Sequence, residues 1–156
     1  LANWLNGHQL WEKIRMTGGA YGGGCSVNPI RKNFAMRSWR DPTPLKSIKV
    51  FEESLKELSE ITLSQENVEC SIISIYSDSI IVESPSSRGE TALSCYLYGR
   101  TSDLIKEKIG YLLEITPQDV QNAAKRLYKN FKESHNELIC VDKAEQFASN
   151  IPQILI

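Results

Sequence analysis

The chain has 156 residues, of which 41% are hydrophobic and 24% are charged, the ordinary proportions of a globular domain. Its 18 basic and 19 acidic side chains leave a net charge of -1, which argues against nucleic-acid and membrane-surface partners, because those bind a basic face. No apolar run approaches the ~20 residues that a membrane-spanning helix needs. The length predicts a single domain, 1–156, with a core of its own.

The start of the chain lacks an initiator Met and a basic leader segment, so we expect a piece cut from a longer protein. The four cysteines and two histidines lie far apart in the sequence and match none of the CxxC, HExxH and HxxEH patterns. These residues are Cys25, Cys70, Cys95, Cys140, His8 and His135. We therefore predict reduced structural thiols, a packed or surface His8, and no metal ligands in this chain.

The first predicted element is a helix over residues 2–16. Gly18 and Gly19 are expected to end it, since glycine adopts the left-handed conformation that is common just past a helix. The predicted buried side carries apolar residues at helical spacing, namely Trp4, Leu10, Trp11 and Ile14.

A strand pair is predicted to follow this helix. Residues 20–27 favour a strand, although the three glycines at 22–24 weaken it or mark a bulge. Residues 33–40 alternate in the period of two that is typical of a half-buried strand. We therefore expect an antiparallel pair joined by the 28–32 loop.

Helices dominate the remaining sequence. The segment Asp41-Pro42 breaks the second strand, and Thr43 is expected to cap a helix whose first residue is Pro44. Residues 62–77 are predicted as a helix, although the Ile-rich segment 71–82 also favours a strand. The later predictions are a loop over 84–89, helices over 90–98, 102–114 and 117–134, a strand over 137–141 and a helix from Lys143.

Together these elements predict an α+β fold, in which an antiparallel sheet of about three strands packs with five or six helices. A sheet of three strands is thin, which again suggests that further strands lie upstream of this chain.

The glycine-rich stretch from Gly18 to Gly24 carries the most informative pattern. A phosphate-binding loop needs a strand before the glycines and a helix after them. Here the helix comes first, which disfavours nucleotide binding. Two interpretations remain: a bend that lets helix and strand pack closely, or a functional corner with Arg15 and Tyr21 on either side of a sharp turn.

Two stretches carry the strongest pattern: Leu10-Trp11-Glu12-Lys13-Ile14-Arg15-Met16-Thr17-Gly18-Gly19-Ala20-Tyr21-Gly22 and Ser38-Trp39-Arg40-Asp41-Pro42. A third, weaker pattern comprises the loop from Pro85 to Gly89, two helices, and the Thr116-Pro117 cap. Together they resemble the last domain of the pitrilysin/insulinase family of zinc metallopeptidases, in the presequence protease branch that includes falcilysin. That branch usually has Tyr where Trp39 stands.

The resemblance implies an enzyme of four related α/β units, arranged as two halves that close around a chamber. The first unit would bind zinc, and this chain would be the C-terminal part of the last unit, partnered by the N-terminal half of the same polypeptide. Arg15 and Tyr21 would then serve as catalytic and substrate-binding residues, and Gly18 and Gly19 would let the substrate backbone approach. Substrates would be short unfolded peptides.

The chemistry of these side chains suits that role. Tyr21 can donate its O–H to an oxyanion, and Arg15 can hold carbonyl or carboxylate groups. The structural alternatives are a half-buried Tyr21 in the sheet and an ion pair of Arg15 with Glu12 or Asp41. Arg40 and Asp41 are predicted to form a turn rather than to act in catalysis.

Two functions follow as expectations. The first is the C-terminal part of a zinc metalloendopeptidase, inactive and without zinc when isolated, in the cytoplasm of a bacterium or in a mitochondrial or plastid matrix. The second is a non-catalytic peptide-binding or scaffold subunit of the same family. Neither expectation includes nucleic acid or a membrane as a partner.

Overall fold

The computed structural model describes residues 1–29, 31–80 and 83–133. Helix α1 begins in α geometry over Ala2–Trp4 and continues in π geometry over Leu5–Thr17. The elements that follow are β1 (Gly22–Asn28), β2 (Asn33–Trp39), α2 (Pro44–Glu60), α3 (Gln65–Ser79), α4 (Pro85–Leu97), α5 (Ser102–Leu113) and α6 (Pro117–Glu133). This arrangement of helices around an antiparallel strand pair confirms the predicted α+β class.

Helix α1 has the predicted extent, but its buried side differs from the prediction. The fully buried residues are Leu5, Leu10 and Ile14, spaced by five and then four positions. This spacing fits the wide turn of a π-helix, whose hydrogen bonds join residues five apart. Trp11 was expected on the buried side, and this is wrong: the wider turn leaves its side chain 49% exposed.

The two strands form the predicted hairpin, with pairs running from Gly22↔Trp39 to Asn28↔Asn33 without a bulge. The three glycines of β1 are explained by close neighbours. A Cβ on Gly22 would collide with the Trp39 ring, and one on Gly23 would lie 2.5 Å from Cγ2 of Ile14. The strand therefore carries glycine because helix α1 and the Trp39 ring press directly on its backbone.

The core lies where α1, the hairpin, α2 and α6 meet. Helix α2 contributes Phe51, Leu55 and Leu58, and α6 contributes Val120 and Ala124, all of them buried. A fully buried leucine side chain contributes roughly 1.5–3 kcal/mol relative to an exposed one. These contacts hold the end of α1 against the start of β1.

The predicted loop over 84–89 is wrong, because α4 begins at Pro85. The Ser84 hydroxyl accepts a hydrogen bond from the backbone N–H of Ser87 at 3.2 Å, and proline occupies the first helical position. This is the cap-then-proline pattern that correctly predicted the start of α2. The predicted strand over 137–141 and the helix from Lys143 lie outside the described residues.

Helices α4 and α5 bury none of their residues fully. Both helices and their ends expose large apolar side chains, and Tyr96, at 83%, is the most exposed of them. These residues are Leu93, Tyr96, Leu97, Tyr98, Leu104, Ile105, Tyr111 and Leu113. None of the helices in the described ranges combines the length and the apolar composition of a membrane span.

Candidate functional site

Arg15 and Tyr21 are brought together by the way α1 ends. Gly19 adopts a left-handed conformation with φ of +79°, and its N–H donates to the Arg15 carbonyl at 3.2 Å. The next N–H, that of Ala20, donates back to the Ile14 carbonyl at 3.1 Å. The chain thus reverses within a few residues, and the Arg15 guanidinium carbon lies 5.9 Å from the Tyr21 ring centroid.

The Arg15 side chain is held by aromatic rings rather than by a carboxylate. Its guanidinium carbon lies 4.2 Å from the Trp11 ring centroid, and stacking of this kind stabilises a cation on an aromatic face. Within the part of the chain that the structure describes, Arg15 forms no ion pair. The alternative of a structural ion pair with Glu12 or Asp41 is therefore not found there.

Tyr21 projects from the protein just before β1 begins. Its side chain is 60% exposed, so the alternative of a half-buried sheet residue does not hold. Its backbone N–H donates to the Arg40 carbonyl at 3.2 Å, which extends the strand pairing by one step. No described residue forms a hydrogen bond with its hydroxyl, which leaves that O–H able to donate to a ligand.

Sequence reasoning assigned Arg40 to a turn, and the structure adds a second contact. Arg40 has a positive φ of 49°, as a turn residue can. Its guanidinium carbon also lies 5.1 Å from the Tyr21 ring centroid. Two cations, Arg15 and Arg40, therefore contact one phenol; we call these three residues the Arg–Tyr corner. Nothing in the spacing of residues 38–42 signals this contact, because the turn geometry creates it.

Asp41 fixes the turn that carries Arg40. One carboxylate oxygen accepts from the Ser38 hydroxyl at 2.6 Å, and the other accepts from the Thr43 backbone N–H at 2.8 Å. Partial burial opposes ionisation of Asp41, but hydrogen bonds from Ser38, Ser47 and the Thr43 N–H outweigh it and lower the pKa of this carboxyl. Thr43 precedes α2 as predicted, although its side chain makes no cap bond.

We expect Asp41→Asn to lower the free energy of unfolding near neutral pH by about 1 kcal/mol, since the carboxylate accepts several hydrogen bonds but is partly solvent-screened. Because the folded pKa lies below the unfolded one, the carboxylate stabilises the fold above pH ~4 and this stabilisation disappears as pH falls through the folded pKa. Urea titrations of both proteins across acidic pH measure the difference, which should shrink toward low pH. A difference independent of pH would contradict this role.

Gly18 and Gly19 have structural reasons of their own. A Cβ on Gly18 would lie 2.6 Å from the Ile14 carbonyl oxygen, so the end of α1 requires glycine there. At Gly19 the reason is the backbone conformation, because a positive φ favours glycine. Space is not the reason there, since an added Cβ would contact only Pro42 Cγ, at 3.7 Å. Gly19 is exposed beside Arg15. The predicted close approach of a substrate backbone at these glycines stays a prediction.

His8 lies at the surface, where its ring contacts Trp4. Its ring stacks on Trp4 with centroids 5.0 Å apart, and Nδ1 lies 3.1 Å from the Trp4 carbonyl oxygen. Residues 1–29, 31–80 and 83–133 contain no group of three or more His, Cys, Asp or Glu that could hold a metal ion.

Burial raises the pKa of the Cys25 thiol to about 11, so this cysteine stays protonated. Cys70 and Cys95 are also free thiols, whereas Cys140 and His135 lie outside the described residues.

Similarity to known proteins is consistent over most of the chain. Presequence proteases match at 25% identity over 89% of the chain in Schizosaccharomyces pombe and at 30% over 80% in Aspergillus oryzae, both named mitochondrial. Presequence protease 1 of Arabidopsis thaliana, named chloroplastic/mitochondrial, matches at 28% over 76%. The chain spans only 14%, 12% and 11% of the lengths of these three relatives.

A family model described as the PreP C-terminal domain matches residues 1–144, which include the Arg–Tyr corner and every described element. This match covers far more than half of the chain, and the relatives with the same kind of name agree with it. The chain therefore belongs to the family of presequence protease C-terminal domains, within the pitrilysin peptidases.

Proposed function

We propose that this chain is the substrate-binding C-terminal domain of a zinc metalloendopeptidase that degrades short unfolded peptides. The observation that carries the proposal is the exposed Tyr21 hydroxyl, which bonds to no described residue and stands beside two cations. Residues 1–156 would form the C-terminal part of the last of four related units, and the Arg–Tyr corner would face the catalytic unit across a closed chamber.

Peptide hydrolysis passes through a tetrahedral intermediate whose carbonyl oxygen becomes an oxyanion. Tyr21 is suited to donate a hydrogen bond to that oxygen, because its phenol carries an O–H donor on an exposed side chain. Arg15 supplies a permanent charge for a substrate carbonyl or carboxylate, and its stacking on Trp11 limits the rotamers that it must lose on binding. Both groups therefore contribute donors, and neither needs to act as a base.

The described residues do not fit a zinc site, so zinc would be bound by another part of the polypeptide. Bound zinc would polarise the scissile carbonyl and activate water. The partner of this chain would be the remaining part of the same polypeptide. Two observations support this: the chain covers only a small fraction of its relatives' lengths, and α4 and α5 bury none of their residues while exposing large apolar side chains. Apolar side chains left open in this way favour contact with another part of a protein.

The second candidate is a non-catalytic peptide-binding or scaffold subunit. One feature of the Arg–Tyr corner favours this candidate: two cations and one phenol could hold a peptide backbone without zinc. In either role the names of the relatives support a mitochondrial or plastid matrix for a eukaryotic source, and a bacterial protein would be cytoplasmic.

The proposal is tested by comparing this chain with the full-length polypeptide of which it would form the end. We expect the full-length polypeptide to cleave a short unfolded peptide and a metal chelator to stop the cleavage, with zinc restoring it. The isolated chain should show neither zinc binding nor cleavage. Full-length protein that binds the peptide without cleaving it would favour the second candidate, and chelator-sensitive cleavage by the isolated chain would contradict the proposal.

A further inference from the structure

We propose that Arg40 is a positioning residue that holds Tyr21 in its working orientation. This inference rests on the proposed role of Tyr21 as a hydrogen-bond donor. It assigns to the turn after β2 a task beyond joining β2 to α2, namely fixing both the backbone and the ring of Tyr21.

The backbone of Arg40 holds the backbone of Tyr21. The last pair of the ladder is Gly22↔Trp39, and the N–H of Tyr21 donates to the Arg40 carbonyl one step beyond it. Arg40 directs its carbonyl there while its own φ is +49°, in the left-handed region. The backbone that carries the exposed Tyr21 side chain is therefore hydrogen-bonded as far as the N–H of Tyr21 itself.

Asp41 keeps this turn in place. Its carboxylate joins the end of β2, through the Ser38 hydroxyl, to the start of α2, through the Thr43 N–H. Both bonds are short, at 2.6 and 2.8 Å, and a carboxylate acceptor makes them stronger than neutral ones. Arg40, the residue with the left-handed φ, therefore directly precedes Asp41. We call the two carboxylate bonds that link β2 to α2 the Asp41 clamp.

The side chain of Arg40 restrains the Tyr21 ring. Its guanidinium carbon is 5.1 Å from the ring centroid, closer than that of Arg15 at 5.9 Å. A cation at this distance is attracted to the ring and limits its rotation. Glycine occupies a left-handed position without strain, so Arg40→Gly removes this ring contact without straining the backbone.

Lys32 provides a matched control. It is the other non-glycine residue with positive φ in the described ranges, at 51°, and it lies in the turn between β1 and β2. Replacing either residue by glycine relieves the backbone and removes one positive charge. Only Arg40→Gly also removes a contact with Tyr21, so the two variants separate the side-chain contact from charge and backbone effects.

The experiment is a double-mutant cycle in the full-length polypeptide, with Arg40→Gly, Tyr21→Phe and both together. We expect Arg40→Gly to lower kcat by roughly tenfold to a hundredfold, the range for a misplaced group, with KM within about twofold. The melting temperature of the Arg40→Gly variant should not fall below that of the parent. In the Tyr21→Phe background the same change should lower kcat by less than about twofold, because the hydroxyl that it positions is gone. Lys32→Gly should leave kcat within about twofold of the parent.

Each outcome decides the matter. An unchanged kcat in Arg40→Gly, or losses that multiply in the double variant, would overturn the positioning role. An equal loss in Lys32→Gly would assign the effect to charge or backbone alone. If Tyr21→Phe itself keeps the parent's kcat, the proposed role of Tyr21 is wrong and the role of Arg40 falls with it. Failure of the Arg40 cycle alone leaves the proposed function standing.

Discussion

Replacing Tyr21 by Phe in the full-length polypeptide is expected to lower kcat for peptide cleavage by about 10²–10³-fold, the usual cost of one oxyanion donor. The ring, its exposure and its contacts with Arg15 and Arg40 would remain, because only the hydroxyl is removed. KM should change little, since the donor matters most in the transition state. Steady-state kinetics on one short unfolded peptide measure both constants.

Tyr98→Phe provides the control, because Tyr98 is almost equally exposed, at 59% against 60% for Tyr21, yet it lies at the end of α4. It should keep the parent's kcat. Arg15→Ala provides a contrast: it leaves the phenol in place but removes a permanent charge, so it should raise KM as well as lower kcat. A full kcat in Tyr21→Phe would exclude the hydroxyl from the mechanism.

The fold was predictable where local chemistry decides it. Thr43-Pro44 and the period-two pattern from Asn33 gave the start of α2 and the second strand, because capping and alternation act over a few residues. The loop predicted over 84–89 failed although Ser84-Pro85 is the same cap pattern as Thr43-Pro44, since Gly89 and three serines suggested a loop. The exposure of Trp11 follows from π geometry, which a search at ordinary helical spacing does not detect.

The candidate site was predictable only in part. The resemblance named Arg15 and Tyr21, and the structure places these two residues side by side. Arg40 was assigned to a turn alone, because its contact with Tyr21 depends on a left-handed φ and on the Asp41 clamp, neither of which has a periodic signal. The three glycines at 22–24 predicted a weakened strand or a bulge. In the structure they are explained by side chains that lie close to the backbone of β1, those of Trp39, Ile14 and Asn6.

Replacing Gly23 by Val is expected to lower the free energy of unfolding by about 3 kcal/mol, at the upper end of the usual cost of overpacking. Gly23 faces the buried Ile14 side chain, and even a single Cβ would lie 2.5 Å from Ile14 Cγ2. Ile14 cannot move aside freely, because it is fully buried. Urea denaturation of the variant and the parent chain measures the loss.

The same substitution at Gly110 is the matched control. Gly110 lies in α5, and a Cβ there would meet nothing within 4 Å. Valine and glycine have similar helix propensities, so Gly110→Val should change stability by less than about 0.5 kcal/mol. Equal stabilities of the Gly23 variant and the parent would contradict close packing of α1 on β1.

Because Ile14 directly precedes Arg15 and Gly23 follows Tyr21 by two residues, any separation of helix and strand also moves the residues of the Arg–Tyr corner apart. Gly23→Val should therefore lower the peptidase activity of the full-length polypeptide more than its loss of stability accounts for.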